Sequence, residues 1–391
     1  MNNREHKKYT KIDKFSETLK KIRMTDAQQA LVSTLLFEMK AVDEKLKTVI
    51  DIDNNVLLMP LLLLEGESSS LIEGTRTLVE DFAYDIEEMN NIPQWETRNL
   101  LSLYEAYIFE NYYSDNFEFS QGAIERMHLD LFKYSERSKF KMIFDVSKRV
   151  EKVQPGKVQT GKDAWNFNGS SNKIEDAYLV FLDPSLKIEY LNDMMGALKN
   201  KVNNKELLIS DLIISHPIFE AIHPFNDGNG RIGRLLLSLS FKILFKGIKF
   251  PIFLSEAFHE RKEDYQELLR NVQLKNDYDS WNKWISFFID SLIFVKRRME
   301  SRANALIKLW SNVNQTKAVK TEIRKEITSL FFKYFKLNKK YTIDKIKNEF
   351  PNVSVQTIYS DWNLVVKELS IETHSDGYCT FNSIEDILRK Q

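Results

Sequence analysis

The stretch that decides the reading runs His223-Pro224-Phe225-Asn226-Asp227-Gly228-Asn229-Gly230-Arg231-Ile232-Gly233-Arg234 and continues into Leu235 to Phe245, a run apolar enough for a buried helix that Gly247 would end. Pro224 stops whatever helix carries His223, so a polar, glycine-bearing turn opens directly onto a helix start. Free backbone N–H groups collect there. Arg231 and Arg234 are expected three apart on one side of the first helical turn, where the helix dipole disfavours each cation by a few tenths to about 1 kcal/mol. Two cations so placed need an anion. Gly228 and Gly230 permit positive φ and close backbone approach, so the loop can cradle phosphate oxygens while the arginines grip them.

Asp227, just ahead of the cradle, would repel phosphate unless a hard divalent cation lay between them, and one carboxylate plus substrate phosphates is a common way of holding Mg²⁺. His223 is the group in the segment able to take a proton near neutral pH. Together these pieces describe a nucleotide-phosphate site with a metal and a base, hence phosphoryl or nucleotidyl transfer to a hydroxyl. Gly228 to Gly233 also spells GxGxxG, the dinucleotide fingerprint, but that motif needs a strand before it. Ile209 to Ile222, bearing Ser215, His216 and Glu220, reads as a helix instead. His128, His216 and His259 read as packed core residues.

The 391 residues leave room for two or three domains, and 12 Gly and 8 Pro against 43% hydrophobic and 29% charged residues suit a mainly α fold. The 56 basic and 56 acidic residues cancel, so any patch for nucleic acid or membrane must be local. A single cysteine, Cys379, excludes an internal disulfide. The longest apolar run, Val56 to Leu64, is broken by Pro60 and is far short of the roughly 20 residues that span a bilayer, so no membrane partner is expected. MNNREHKKYTKIDK has no apolar core of a secretory signal; a cytoplasmic location is the expectation.

Helical spacing of apolar residues marks Ala30 to Leu46 and Leu78 to Met89. Pro155 to Pro184, with its glycines and the β-prone Tyr178-Leu179-Val180-Phe181, reads as loops and a short hairpin within 163–182. Helical periodicity then runs from Ser185 to a basic helix near Lys296-Arg297-Arg298. Between 296 and 345 there are fourteen basic and four acidic residues. Beyond them, Thr342 as an N-cap, a helix to Phe350, a Pro351-Asn352-Val353 turn, Ser354 capping a second helix and an Asp376-Gly377 turn resemble a winged helix-turn-helix. DNA binding and a small interaction or dimerisation module both remain open for it. The expected division is an N-terminal helical region over 1–110, a catalytic core over 111–300 and the winged-helix-like domain over 301–391.

The central stretch resembles the signature HxFx(D/E)GNGRxxR of the Fic family, whose members are mostly protein adenylyltransferases, and every fixed position of it is filled. The similarity extends back to Ala177–Ala197 and forward through Pro251, Leu254-Ser255, Tyr265 and Trp281 to Phe288. Upstream, Pro60-Leu61, Glu65, Ser69-Ser70 and Ile72-Glu73-Gly74-Thr75 resemble the region of those Fic proteins that carry their own inhibitory helix, with the motif (S/T)xxxE(G/N) at Ser69, Glu73 and Gly74. Ser70-Leu71-Ile72-Glu73 is also a capping box, a local device at a helix start.

The resemblance implies a Fic-type helical core with a hairpin flap. It implies that His223 deprotonates a Ser, Thr or Tyr hydroxyl of a target protein docked on the flap, or of the chain itself. Asp227 would hold Mg²⁺ against the phosphates of ATP; Gly228, Asn229 and Gly230 would form the anion nest, with Arg231 and Arg234 on the phosphate chain and further nucleotide contacts at Gly233, Tyr265 and Gln266. Glu73 would pair with Arg234 and keep the γ-phosphate from its productive place. The chain departs from the family at Gln159, where an arginine is common, at Tyr265-Gln266, where a tyrosine pair is common, and at Pro217. Other Fic-type transfer, removal of AMP, and a DNA-binding regulator with a nucleotide-sensing Fic domain are the alternatives; a homodimer is a further candidate partner.

Overall fold

The computed structural model describes residues 8–49, 54–74, 100, 103–109, 117–132, 154–161, 165–169, 174–245, 252–334 and 336–389. The helix expected over Leu78–Met89 and the helix stop at Gly247 lie outside them. The described chain is mainly helical, with one two-stranded and one three-stranded antiparallel sheet.

Among the described residues, α1 (Phe15–Lys21), α2 (Asp26–Val49), α3 (Asn54–Ile72) and a π-helical turn at Glu105–Phe109 precede α4 (Gln121–Leu131), which Ser120 caps through the Ala123 N–H. The flap hairpin pairs β1 (Phe167–Gly169) with β2 (Ala177–Val180). Then come α5 (Lys187–Asn203), α6 (Ile209–Ile222), α7 (Asn229–Leu244), α8 (Ser255–Glu260), α9 (Lys262–Lys275) and α10 (Tyr278–Asn314). From Asp211 to Ile222 every residue of α6 is buried, because its neighbours enclose it on all sides. Pro217 is accommodated inside this helix rather than ending it. Trp281 and Trp284 are fully buried, and the Trp284 indole N–H reaches the Ile213 carbonyl at 2.8 Å, which fixes α10 against α6. Truncating such a tryptophan costs about 3–5 kcal/mol.

The 37-residue α10 runs unbroken across the domain boundary expected at 300 and 301. After it come α11 (Glu322–Tyr334), β3 (Lys336–Asn338), α12 (Lys339–Glu349), α13 (Val355–Glu368), β4 (Glu372–Thr373), β5 (Tyr378–Thr380) and α14 (Asn382–Arg389), with strand order β3-β5-β4. Ser354 caps α13 through the Thr357 N–H, and Gly377, at φ 88°, turns the β4–β5 hairpin. Thr342 is not the cap: Asn338 takes that place, accepting from the Tyr341 N–H, and Thr342 is buried in the helix with its hydroxyl donating to the Asn338 carbonyl. Helix α11 packs along α3, which is thereby held between this C-terminal unit and α8 of the core.

Candidate active site

Helix α6 ends at Ile222 because His223 adopts the left-handed conformation (φ 47°, ψ 61°) and Pro224 cannot continue a helix. The strained residue aims the imidazole back over the helix end, where Nδ1 lies 3.3 Å from the Glu220 carbonyl and the ring stacks on Phe181 at 3.8 Å. With Nδ1–H donating to that carbonyl, Nε2 keeps its lone pair. Burial, reinforced by the Lys187 ammonium, pushes His223 down to about 3, so the ring is neutral and able to accept a proton.

The loop that follows is held from outside by its carbonyls. Gln159 N–H donates to Pro224 O at 2.9 Å, and Asn166 Nδ2 and Asn229 Nδ2 both donate to Phe225 O, at 3.0 and 2.7 Å. The Asn229 side chain also accepts from the Phe225 N–H, at 2.9 Å. Behind Asn166 the fully buried Lys187 ammonium donates to its Oδ1 at 2.7 Å, and burial pushes that lysine down to about 8. Gly228 has φ 78° and opens α7, whose first N–H groups have no intrahelical acceptor. Gly230, by contrast, is an ordinary helical residue, so its value is the space it leaves and not a positive φ.

Glu73 fills that space. A Cβ on Gly230 would lie 2.1 Å from Glu73 Oε1 and 2.9 Å from Arg234 Nη1. Arg234 stands in the second turn of α7, one turn later than expected, and is 2% exposed. Its Nη2 donates to Glu73 Oε1 at 2.8 Å and to the Ser69 carbonyl at 2.9 Å, while Nε donates to Ser69 Oγ at 2.9 Å. Burial opposes the charge on both partners, yet the pairing prevails: Arg234 is held well above its ordinary value and Glu73 below the usual carboxylate range. The capping-box reading of Ser70–Glu73 is overturned, because α3 ends at Ile72 and these residues form its last turn, closed by Gly74 at φ 84°. Lys262 caps the same end by donating to the Leu71 carbonyl at 2.8 Å.

Arg231 is buried and reaches Asp227 Oδ2 at 3.3 Å, a long contact, while Asp227 Oδ1 accepts from the Gly228 N–H at 2.7 Å. Among the described residues no group of three or more His, Cys, Asp and Glu forms a metal cage. One loosely engaged carboxylate next to the N-terminus of α7 nevertheless suits Mg²⁺ held jointly with phosphate oxygens.

Three expected contacts take other places. Gly233 sits in the α6–α7 interface, where a Cβ would come within 2.6 Å of Glu220 Oε1. Tyr265 is buried, its hydroxyl 2.9 Å from His216 Nε2 and its ring against Phe258, and Gln266 is exposed. His128 and His216 are buried, as their core reading requires, but His259 is only half-buried. Residues without any signal in the sequence include Asn166, Lys187 and Tyr104. Tyr104 joins Ser255 in binding the buried Glu65 carboxyl at 2.9 and 2.5 Å, one turn ahead of Ser69 on α3.

The family model described as "Fic/DOC family" matches residues 119–240. A probable protein adenylyltransferase of Aquifex aeolicus (strain VF5) is 28% identical over 138 residues, which cover 32% of this chain and 40% of that relative, so the match spans under half the relative's length. Among solved structures, a Fic family protein from Desulfovibrio desulfuricans G20 is 17% identical over 90% of this chain and 92% of its own, with a TM-score of 0.49. A Fic domain-containing signalling protein from Bacteroides thetaiotaomicron VPI-5482 is 13% identical over 68% of this chain and 97% of its own, with a TM-score of 0.47. Residues 119–240, which carry the site, are thus similar to the Fic/DOC family.

Proposed function

We propose that this chain is an autoinhibited protein adenylyltransferase, moving AMP from ATP to a Ser, Thr or Tyr hydroxyl of a target protein or of itself. The observation that carries the reading is the Glu73 carboxylate seated on Gly230 and paired with a buried Arg234 at the start of α7, the place a nucleotide's terminal phosphate would take. The resemblance of the match to a probable adenylyltransferase supports AMP as the group transferred.

In this mechanism the target's hydroxyl oxygen attacks the α-phosphorus, its proton passes to His223 Nε2, and the bond to the bridging oxygen breaks so that pyrophosphate leaves. The N–H groups that open α7, with Arg231 and Arg234, receive the phosphate oxygens. Asp227 would hold Mg²⁺, which when bound neutralises charge on the phosphates. The target strand docks on the flap hairpin by strand addition. One flap edge is partly taken already: Val180 donates to the Lys8 carbonyl at 2.7 Å and accepts from the Thr10 N–H at 2.9 Å.

Incubation with α- or γ-labelled ATP and Mg²⁺, comparing wild type, Glu73→Gly and His223→Ala, tests the reading. Strong label from the α-phosphate in Glu73→Gly alone is expected; label from the γ-phosphate would make the activity kinase-like, and no label in any variant would remove it.

For the C-terminal unit, read as a winged helix, the proposed partner is duplex DNA. Gln356, Ser360, Asn363 and Lys367 form one exposed stripe of α13 without an acid, and Asp361 is turned inward onto Arg324 at 2.6 Å. A DNA shift by the full chain that weakens with salt is expected; a salt-insensitive or absent shift points to dimerisation or a protein partner.

A further inference from the structure

His128 lies on α4, outside the signature, and is buried, at 0% exposure. Its ring stacks on Phe225 with centroids 3.7 Å apart and planes 5° from parallel. The Gly156 N–H donates to Nδ1 at 2.9 Å. A backbone N–H can only donate, so Nδ1 is unprotonated and Nε2 carries the hydrogen. That hydrogen points at the Asp227 carbonyl, 3.0 Å away.

The consequence follows from the peptide plane. In a trans peptide the C=O of one residue and the N–H of the next point in opposite directions. Drawing the Asp227 carbonyl towards His128 therefore turns the Gly228 N–H the other way, where it meets Asp227 Oδ1 at 2.7 Å. The grip on the backbone thus sets the orientation of the same residue's carboxylate. Among the described residues, Oδ2 is left with the long Arg231 contact at 3.3 Å.

We infer that His128 is a positioning residue for Asp227, acting through the Asp227–Gly228 peptide to aim the Asp227 carboxylate at a cation held jointly with the nucleotide phosphates. This rests on the metal-holding role proposed for Asp227. A histidine that merely fills the core would be replaced best by another flat ring and worst by a flexible amide. The positioning role inverts that order. His128→Phe keeps the stack on Phe225 but has no donor for Asp227; His128→Gln loses the stack yet can place an N–H where Nε2 stood; His128→Asn reaches only the Nδ1 position.

The experiment uses the full chain in the Glu73→Gly background and reads two quantities. Hydrogen exchange over the catalytic loop, without nucleotide, reports the pinning. Isothermal titration of ATP at graded Mg²⁺ gives the Mg²⁺ concentration that half-saturates the metal-dependent part of binding. Loss of an outer partner of a metal ligand typically costs roughly 10- to 100-fold in metal affinity. His128→Phe and His128→Asn are expected to speed loop exchange and raise the half-saturating Mg²⁺ by that factor, with metal-free ATP binding kept. His128→Gln is expected within about threefold of the parent. Equal Mg²⁺ dependence in Phe and parent, or Gln behaving worse than Phe, overturns the inference. If Phe does not fold, Gln against Asn decides in the same way. A parent that binds no Mg²⁺-dependent ATP sinks the functional reading instead, and loop exchange then decides the pinning alone.

Discussion

Removing the Glu73 carboxylate is the perturbation whose size the geometry lets one work out. In the proposed mechanism ATP displaces it from Arg234, so the affinity lost to inhibition would equal the free energy of that pairing. A hydrogen bond between charged partners contributes about 1.5–3 kcal/mol. The Arg234 side chain is 2% exposed but that of Glu73 is 41% exposed, so solvent screening discounts the pair to about 1–2 kcal/mol. That corresponds to a gain in ATP affinity of about 5- to 30-fold. The assay is calorimetric titration of ATP into His223→Ala, which cannot turn over, with and without Glu73→Gly. A second signature accompanies it: without ligand, Glu73→Gly should melt at a lower temperature, because a buried guanidinium loses the carboxylate hydrogen-bonded to it. ATP should then raise the melting temperature more than in the parent. Glu73→Gln, which keeps an acceptor and loses the charge, should fall between. Equal ATP affinity in all three would refute the competition.

Ser69→Ala deletes one of the two bonds Ser69 accepts from Arg234 and keeps the carbonyl, so it should release inhibition by a few-fold, less than Glu73→Gly in the same titration. Gly230→Ala should weaken ATP binding even with Glu73→Gly, since its Cβ enters the space of the anion; calorimetry on the double variant checks this. Burial pushes Glu65 up to about 7, against its bonds to Ser255 and Tyr104. A carboxyl raised in the folded state contributes stability that is complete below its ordinary value of 4.5 and is lost as pH rises to about 7. Glu65→Gln should flatten that fall, read as melting temperature against pH; an unchanged slope would mean the carboxyl does not titrate there.

What could be read beforehand follows from how local each signal is. The turn after His223, the helix from Asn229 and the paired arginines are dictated by neighbours in the chain: Pro224 ends a helix, Gly228 opens one, and the apolar run after Arg234 buries it. The flap strand at Ala177–Val180 was legible for the same reason. Thr342 misled because Asn338 offers an equally good cap one turn earlier, and tertiary packing on Ile343 and Ile346 extends the helix to it. The partners of the loop after His223 were invisible. His128, Asn166 and Lys187 lie 99, 59 and 21 positions from the atoms they bind, and a lysine's burial beside a hairpin leaves no periodicity to detect. Glu73 is the intermediate case: its spacing from Ser69 could be seen, but only the fold shows that both meet one guanidinium.

In the proposed mechanism Arg234 serves two anions in turn, the chain's own carboxylate and the nucleotide. Turnover of the double variant Glu73→Gly, Arg234→Ala, measured as α-phosphate label on protein, tests this most directly. Loss of labelling to the level of His223→Ala is the predicted result; labelling that persists at the level of Glu73→Gly would show that the guanidinium serves the inhibitor alone.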